Sequence, residues 1–261
     1  MELCREFGIK KFVLASTSSL YGSPNAASKP GGGQASRRES VQASELPNLQ
    51  APSQPNQPNR LDRPDRPNRR NRLDRPFSES DPTDGPLSPY AASKKAAEAL
   101  CYSYHYLYGF DVSVLRYFTV YGPAGRPDMS PFRFVQWISE GRPVIVYGDG
   151  RQSRDFTYVG DIARGTIAAL KPVGYEVINL GSDQPVGLKD AIRLIERLVD
   201  REARVEFKPR HPADVMATWA DISKAKRLLD WVPQTGFEEG LVKLVEWYRE
   251  NREWAKDVKT G

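Results

Sequence analysis

Apolar and polar positions change period several times along the chain, and each change marks an element. Ile9 to Ala15 is a short run of Ile, Phe, Val and Leu between polar flanks, the pattern of a parallel strand buried on both faces. Glu2 to Gly8 before it reads as the last turns of a helix ending at a glycine. Ser88 as a cap and Pro89 at a first-turn position predict a helix to about residue 108. Val112 to Tyr117 is a second buried strand. Pro131 to Glu140 is expected as a short helix ending at Gly141, and Val144 to Tyr147 as a strand closed by Gly-Asp-Gly. Asp161 is expected to cap a helix to about Leu170, before a strand from Glu176 to Leu180. Helices over 187–200 and 221–230 flank a strand from Arg204 to Phe207, and an amphipathic helix covers 237–250. Strands alternating with helices predict the α/β class.

The periodicity vanishes over residues 23–76. This stretch holds no aromatic residue, nine of the 21 prolines and two copies of Arg-Leu-Asp-Arg-Pro. Such a composition buries too little surface to offset ordering entropy and predicts a disordered insert. Its ten basic and five acidic residues carry the whole formal charge of +5, so the remainder is neutral. Overall charge is therefore no argument for nucleic-acid binding, and the arginine-rich stretch lacks aromatic residues to stack on bases. The strand at 9–15 needs neighbours that nothing before it supplies, so the chain reads as starting inside a domain. At 261 residues it has length for one large or two small domains.

Cys4 and Cys101 have no paired spacing, and no metal-ligand cluster accompanies His105 and His211. The expectation is reduced thiols, no metal and a cytoplasmic protein. No apolar run approaches a membrane span, and no signal-peptide pattern opens the chain.

Candidate chemistry centres on Tyr90 and Lys94 within Ser88-Pro-Tyr-Ala-Ala-Ser-Lys94. Four residues is one helical turn, so phenol and ammonium emerge on one face. A fixed cation favours the phenolate of a residue whose free pKa lies near ~10, which makes a base for an alcohol proton. Alone, the spacing describes equally a half-buried tyrosine beside a solvated lysine. Ala15-Ser-Thr-Ser-Ser-Leu-Tyr-Gly22 follows the first strand, where ligands sit in open α/β sheets. Its four hydroxyl residues suit a sugar, or a turn satisfying its own backbone.

Taken with Leu115-Arg-Tyr-Phe-Thr-Val-Tyr-Gly-Pro123, the Gly-Arg-Pro-Asp-Met loop at 125–129 and Arg154 to Asp161 (Arg-Asp-Phe-Thr-Tyr-Val-Gly-Asp), these motifs carry a specific resemblance. Over residues 1–22 and 77–255 the chain resembles an extended short-chain dehydrogenase/reductase of the NAD-dependent epimerase/dehydratase family. Within it, the likeness is to UDP-glucuronate and UDP-glucose 4-epimerases. The resemblance implies the carboxy-terminal part of a Rossmann-like parallel sheet plus a smaller α/β substrate-binding domain. Residues 1–22 and 77–125 would belong to the Rossmann-like part, and 126–255 mainly to the UDP-sugar part with segments returning to the first. It implies NAD as cofactor and a UDP-sugar as substrate.

Residue by residue, it implies a catalytic triad of Thr17, Tyr90 and Lys94. Lys94 would lower the Tyr90 pKa and hold the nicotinamide ribose. Tyr90 would take the 4-hydroxyl proton as hydride leaves C4, and Thr17 would steady that oxygen. Tyr117 is assigned to the cofactor. Ser18, Ser19 and Thr119 match positions that bind the carboxylate of a uronate. Arg154 matches the diphosphate arginine and Arg126 an arginine beside the sugar or phosphates; the alternative for both is a surface salt bridge. Val146 and Tyr147 match the strand supporting the uracil, and Asp214 the acid at its ribose. His211 stands where relatives often have arginine. Thr17 is followed by Ser18 and Ser19 rather than an Asp-Glu pair, which argues against a 4,6-dehydratase.

No Gly-x-x-Gly-x-x-Gly turn for the NAD pyrophosphate occurs in these residues. Turnover by this chain alone is therefore not expected, and a non-catalytic UDP-sugar-binding protein is the alternative. Relatives commonly dimerise through the helix bearing the tyrosine and lysine together with the preceding one, which implies a homodimer.

Overall fold

In the computed structural model, which describes residues 1–22, 75–210 and 214–260, helices and strands alternate as the sequence predicts. In chain order they are α1 (Glu2–Glu6), β1 (Lys11–Thr17), a 3-10 turn (Ser18–Tyr21), α2 (Pro89–Tyr108), β2 (Asp111–Tyr117), β3 (Thr119–Tyr121) and α3 (Ser130–Ser139). There follow β4 (Val144–Tyr147), β5 (Ser153–Tyr158), α4 (Val159–Ala168), β6 (Tyr175–Leu180), β7 (Pro185–Gly187) and α5 (Leu188–Val199). The chain continues through β8 (Val205–Lys208), α6 (Ser223–Leu229), α7 (Phe237–Glu250) and α8 (Arg252–Ala255).

The first sheet is parallel, in the order β1-β2-β6. Val112, Val114 and Leu115 of β2 are wholly buried, as a central strand covered on both faces requires. α2 makes the crossover from β1 to β2. The Ser88 hydroxyl accepts from Ala91 N at 3.1 Å, Pro89 fills the first turn, and Gly109 closes the helix in the left-handed region at φ 68°.

A second group of strands, β3-β5-β7, joins β3 parallel to β5 and β7 antiparallel to it. β4 and β8 form a parallel pair beside α3, α5 and α7, whose Phe132, Val135, Ile138, Ile195, Leu241 and Leu244 make the larger core. A smaller core under β2 and β6 gathers Leu115, Ile178 and Leu180 against Ile162, Leu229 and Trp231.

Two expectations change. β1 ends at Thr17, so Ser16 and Thr17 belong to the strand and are fixed by its ladder rather than by a loop. Asp161 does not cap α4: the helix starts at Val159 with Tyr158 at the cap position, and the Asp161 carboxylate accepts from Thr235 N and Arg164 instead. Of the expected insert, only Arg75 and Pro76 are among the described residues; Arg75 pairs with Asp81 at 2.5 Å. The remainder, and His211, lie outside them.

Candidate active site

Thr17, the last residue of β1, caps the 3-10 turn that follows. Its Oγ1 accepts from Ser19 N at 3.2 Å and lies 3.2 Å from Ser19 Oγ. Ser16 donates to Glu98 Oε1 at 2.6 Å, and with Thr17, Ser18 and Ser19 it lines a cavity of about 510 Å³. The strand-to-turn corner thus supplies three hydroxyl donors at the carboxyl end of a parallel strand.

Tyr90 reaches the same cavity from the first turn of α2, 48% exposed. Lys94 follows one turn later. Its Nζ donates to the Ala15 carbonyl at 2.8 Å and sits 5.9 Å from the centre of the Tyr90 ring. An ammonium has three donors, and this bond engages one while fixing the cation against β1. Tyr117, paired with Thr17 across the ladder, also lines the cavity, and its hydroxyl lies 2.9 Å from Thr166 Oγ1. Burial raises the Tyr117 pKa, so this phenol stays neutral.

Ser18, Ser19 and Thr119 also line a second cavity of about 190 Å³ that leads to Arg154 and Asp214. Arg154 donates to Asp214 Oδ1 at 2.6 Å and to the Ser153 carbonyl at 2.8 Å. Burial pulls the Arg154 pKa below the usual arginine range while Asp214 opposes that shift. Arg126, on the rim of the first cavity, is exposed and held in a two-point pair with Asp128.

The structure therefore brings Thr17, Tyr90, Tyr117, Ser18, Ser19, Thr119 and Arg126 to one cavity, with Lys94 behind Tyr90 and Arg154 with Asp214 next door. Val146 and Tyr147 are not at either cavity. Val146 is buried in the larger core and faces a third space with Leu188 and Phe207, and Tyr147 is 42% exposed.

Two groups of polar residues escaped the sequence reading. Asp155, fully buried, accepts from Ser182 N, Ser182 Oγ, Asp183 N, Ala220 N and Thr157 Oγ1, and so ties β5 to two loops beside Arg154. Burial raises its pKa, and the donors on Ser182, Ala220 and Thr157 oppose that rise. Arg116 and Glu98 form a buried two-point pair, Nε–Oε1 3.0 Å and Nη2–Oε2 2.8 Å. The signal was present: Arg116 interrupts an apolar strand, and a charge there demands a buried partner.

Comparison with known proteins gives the family. The model of the NAD dependent epimerase/dehydratase family matches residues 68–181. A UDP-glucuronate 4-epimerase of Thermodesulfobacterium geofontis is 48% identical over 260 residues, 99% of this chain and 65% of that protein. The chain belongs to the NAD-dependent epimerase/dehydratase family. A family relative from Arabidopsis thaliana, UDP-glucuronate 4-epimerase 4, is 41% identical over 192 residues, covering 66% of this chain and 44% of that one. Among solved structures, UDP-glucuronic acid 4-epimerase of Bacillus cereus in complex with UDP-glucuronic acid and NAD superposes with a TM-score of 0.73 at 32% identity. That match covers 96% of this chain and 65% of the other. The chain thus spans less than two thirds of the length of these three relatives.

Proposed function

We propose that the protein is an NAD-dependent UDP-sugar 4-epimerase acting on UDP-glucuronate through a transient 4-keto sugar. The observation that carries this reading is the meeting of Thr17, Tyr90 and the Ser18–Ser19–Thr119 hydroxyls at the junction of two cavities, one of which ends at Arg154. Tyr90 receives the proton of the sugar 4-hydroxyl on its phenol oxygen, and Thr17 Oγ1 donates to the same sugar oxygen. Lys94, held on Ala15, keeps a positive charge 5.9 Å from the centre of the Tyr90 ring. Ser18, Ser19 and Thr119 hold the C5 carboxylate with neutral donors, which favours a uronate over glucose. Arg154 holds the diphosphate in the second cavity, with Asp214 turned toward the ribose and Arg126 closing the rim. Val146 and Tyr147, expected to support the base, line neither of these cavities and take no part in this reading.

The nicotinamide end of NAD fits here: Tyr90 and Lys94 would hold its ribose, and Tyr117 lines the same space. Bound NAD would supply the hydride acceptor for C4. Residues 1–22 and 77–125, with β6 returning to pair with β2, form the Rossmann-like part, and residues from 126 onward mainly form the substrate part. Exposed Leu3 on α1, Phe7 just after it, and Leu100, Tyr106 and Leu107 on α2 support a homodimer through these helices. Free Cys4 and Cys101 fit the reducing cytoplasm.

The test is incubation of the chain with UDP-glucuronate and NAD+, followed by analysis for UDP-galacturonate, with calorimetry of UDP-glucuronate binding alongside. Turnover that disappears in Tyr90→Phe supports the epimerase reading, and would show that the glycine-rich turn missing from these residues is dispensable. Binding without turnover favours a non-catalytic UDP-sugar-binding protein, for which the Arg154–Asp214 cavity alone suffices. Absence of both overturns the reading.

A further inference from the structure

Tyr90, Lys94 and Glu98 succeed one another at four-residue steps and share one face of α2. The two that follow Tyr90 anchor it to consecutive residues of β1. Lys94 Nζ donates to the Ala15 carbonyl at 2.8 Å, and Glu98 Oε1 accepts from Ser16 Oγ at 2.6 Å. Thr17 is the next residue. Glu98 also takes Arg116, which stands opposite Ser16 in the β1–β2 ladder, and the following rung pairs Thr17 with Tyr117. The side chains of Glu98 and Arg116 are 5% and 4% exposed.

The far side of this pair is equally committed. Arg116 Nη1 donates to Tyr21 Oη at 3.1 Å, Tyr21 donates to Asn179 Oδ1 at 2.6 Å, and Glu79 Oε1 accepts from Asn179 N at 2.9 Å. Tyr175 Oη donates to the Glu98 backbone carbonyl at 3.2 Å. Both carboxylate oxygens of Glu98 and all three guanidinium nitrogens of Arg116 are engaged. A buried polar network that is fully satisfied holds its elements in one arrangement, whereas a buried pair adds little net stability over an apolar replacement. Its value then lies in what it fixes, and what it fixes is the spacing between the face of α2 that carries Tyr90 and the end of β1 that carries Thr17.

Resting on the epimerase reading above, we propose that Glu98 is a positioning residue for the reaction: with Ser16 and Arg116 it sets the Tyr90 phenol and the Lys94 ammonium against Thr17. It touches no substrate itself.

Two variants of the full chain test this. Ser16→Ala removes one charge-assisted hydrogen bond and leaves the ion pair, so it isolates one link between α2 and β1; Glu98→Gln removes the carboxylate charge as well. Two readouts are taken on each. The first is kcat and KM for UDP-glucuronate with NAD+. The second is the pH titration of the Tyr90 phenol by NMR of 13Cζ-labelled tyrosine, assigned with Tyr90→Phe. The expected result for Ser16→Ala is a kcat about tenfold lower with KM within about twofold, and a Tyr90 midpoint moved by about half a pH unit or more. A Tyr90 titration identical to wild type in both variants overturns the proposal even where their Tm falls, since a purely structural pair predicts that outcome. A wild-type chain without turnover or UDP-glucuronate binding sinks the epimerase reading alone, because the titration still decides the positioning.

Discussion

Arg154 donates to Asp214 Oδ1 at 2.6 Å across the mouth of the second cavity. The guanidinium is largely buried, and burial alone would favour its loss of charge. A second anion would relieve that cost, and a planar fork suits a diphosphate better than a point charge does. Arg154→Lys is therefore expected to weaken UDP binding by about tenfold or more, equal to about 1.4 kcal/mol. Isothermal calorimetry with UDP checks this; unchanged affinity would remove Arg154 from the diphosphate site.

Tyr90→Phe keeps the ring and removes the hydroxyl. General acid–base groups contribute about 10²–10⁴-fold, so kcat should fall by that order while UDP-glucuronate binding stays within a few-fold. A variant that loses binding in parallel with turnover would show that Tyr90 holds the sugar rather than moving its proton.

Glu140 accepts from Arg252 through Nε at 2.8 Å and Nη2 at 2.9 Å, and from Tyr248 Oη at 3.0 Å. The Arg252 hydrogen bonds hold its carboxyl below the ordinary 4.5, burial opposes them, and Tyr248 adds to the lowering. A carboxyl depressed in the folded state contributes stability that is fully present above its unfolded pKa and is lost as pH falls through the folded value. Glu140→Gln should thus lower Tm by about 2–4 °C at neutral pH. The difference from wild type should shrink below the unfolded value and close below the folded one. Thermal melts across pH 3 to 8 test the sign: a gap that widens in acid contradicts it.

Gly240 lies within α7, where alanine ordinarily gains about 1 kcal/mol over glycine. Here a methyl group would collide with Tyr121 Oη and meet Tyr158 at 2.9 Å. Tyr121 is buried and donates to the Phe237 carbonyl at 3.0 Å, so it has no free path away. Gly240→Ala should destabilise by about 1–3 kcal/mol in urea unfolding. A stabilised variant would show that the Tyr121–α7 contact yields easily.

Much of the fold was legible where one signal dominates. Ser88-Pro89 announces the start of α2, and the apolar run 112–117 announces β2, because local capping and burial agree there. β5 was not legible. Arg154, Asp155 and Thr157 give it a polar look, yet Asp155 and Thr157 are buried because loop donors from residues 182, 183 and 220 surround Asp155. Tertiary partners, which no window of sequence contains, decide that strand. β3 and β7 are only three residues long and carry too short a pattern to read. The candidate site divides the same way. Tyr90 and Lys94 are readable from spacing, whereas the Glu98–Arg116 pair joins residues eighteen positions apart on two elements and becomes visible only when α2 lies across β1 and β2. Asp161 misled because an acid before an apolar helix resembles a cap, and its partner Thr235 lies far along the chain.

The parallel ladder of β1 and β2 also has a kinetic side. Lys11 pairs with Asp111 and Thr17 with Tyr117, a separation of one hundred positions, whereas α3, α5 and α7 build the larger core from one continuous stretch of chain. Non-local pairings of this kind form slowly, because the closure entropy is lost before any contact repays it. Residues 23–74 occupy most of the chain between Thr17 and Tyr90, and lengthening a connection roughly fourfold adds only about 1 kcal/mol to its closure. Docking of β1 is therefore the slow step that brings Thr17 beside Tyr90. Any change that slows or weakens that docking removes the candidate catalytic centre first, while the rest of the protein still looks native to a spectrometer.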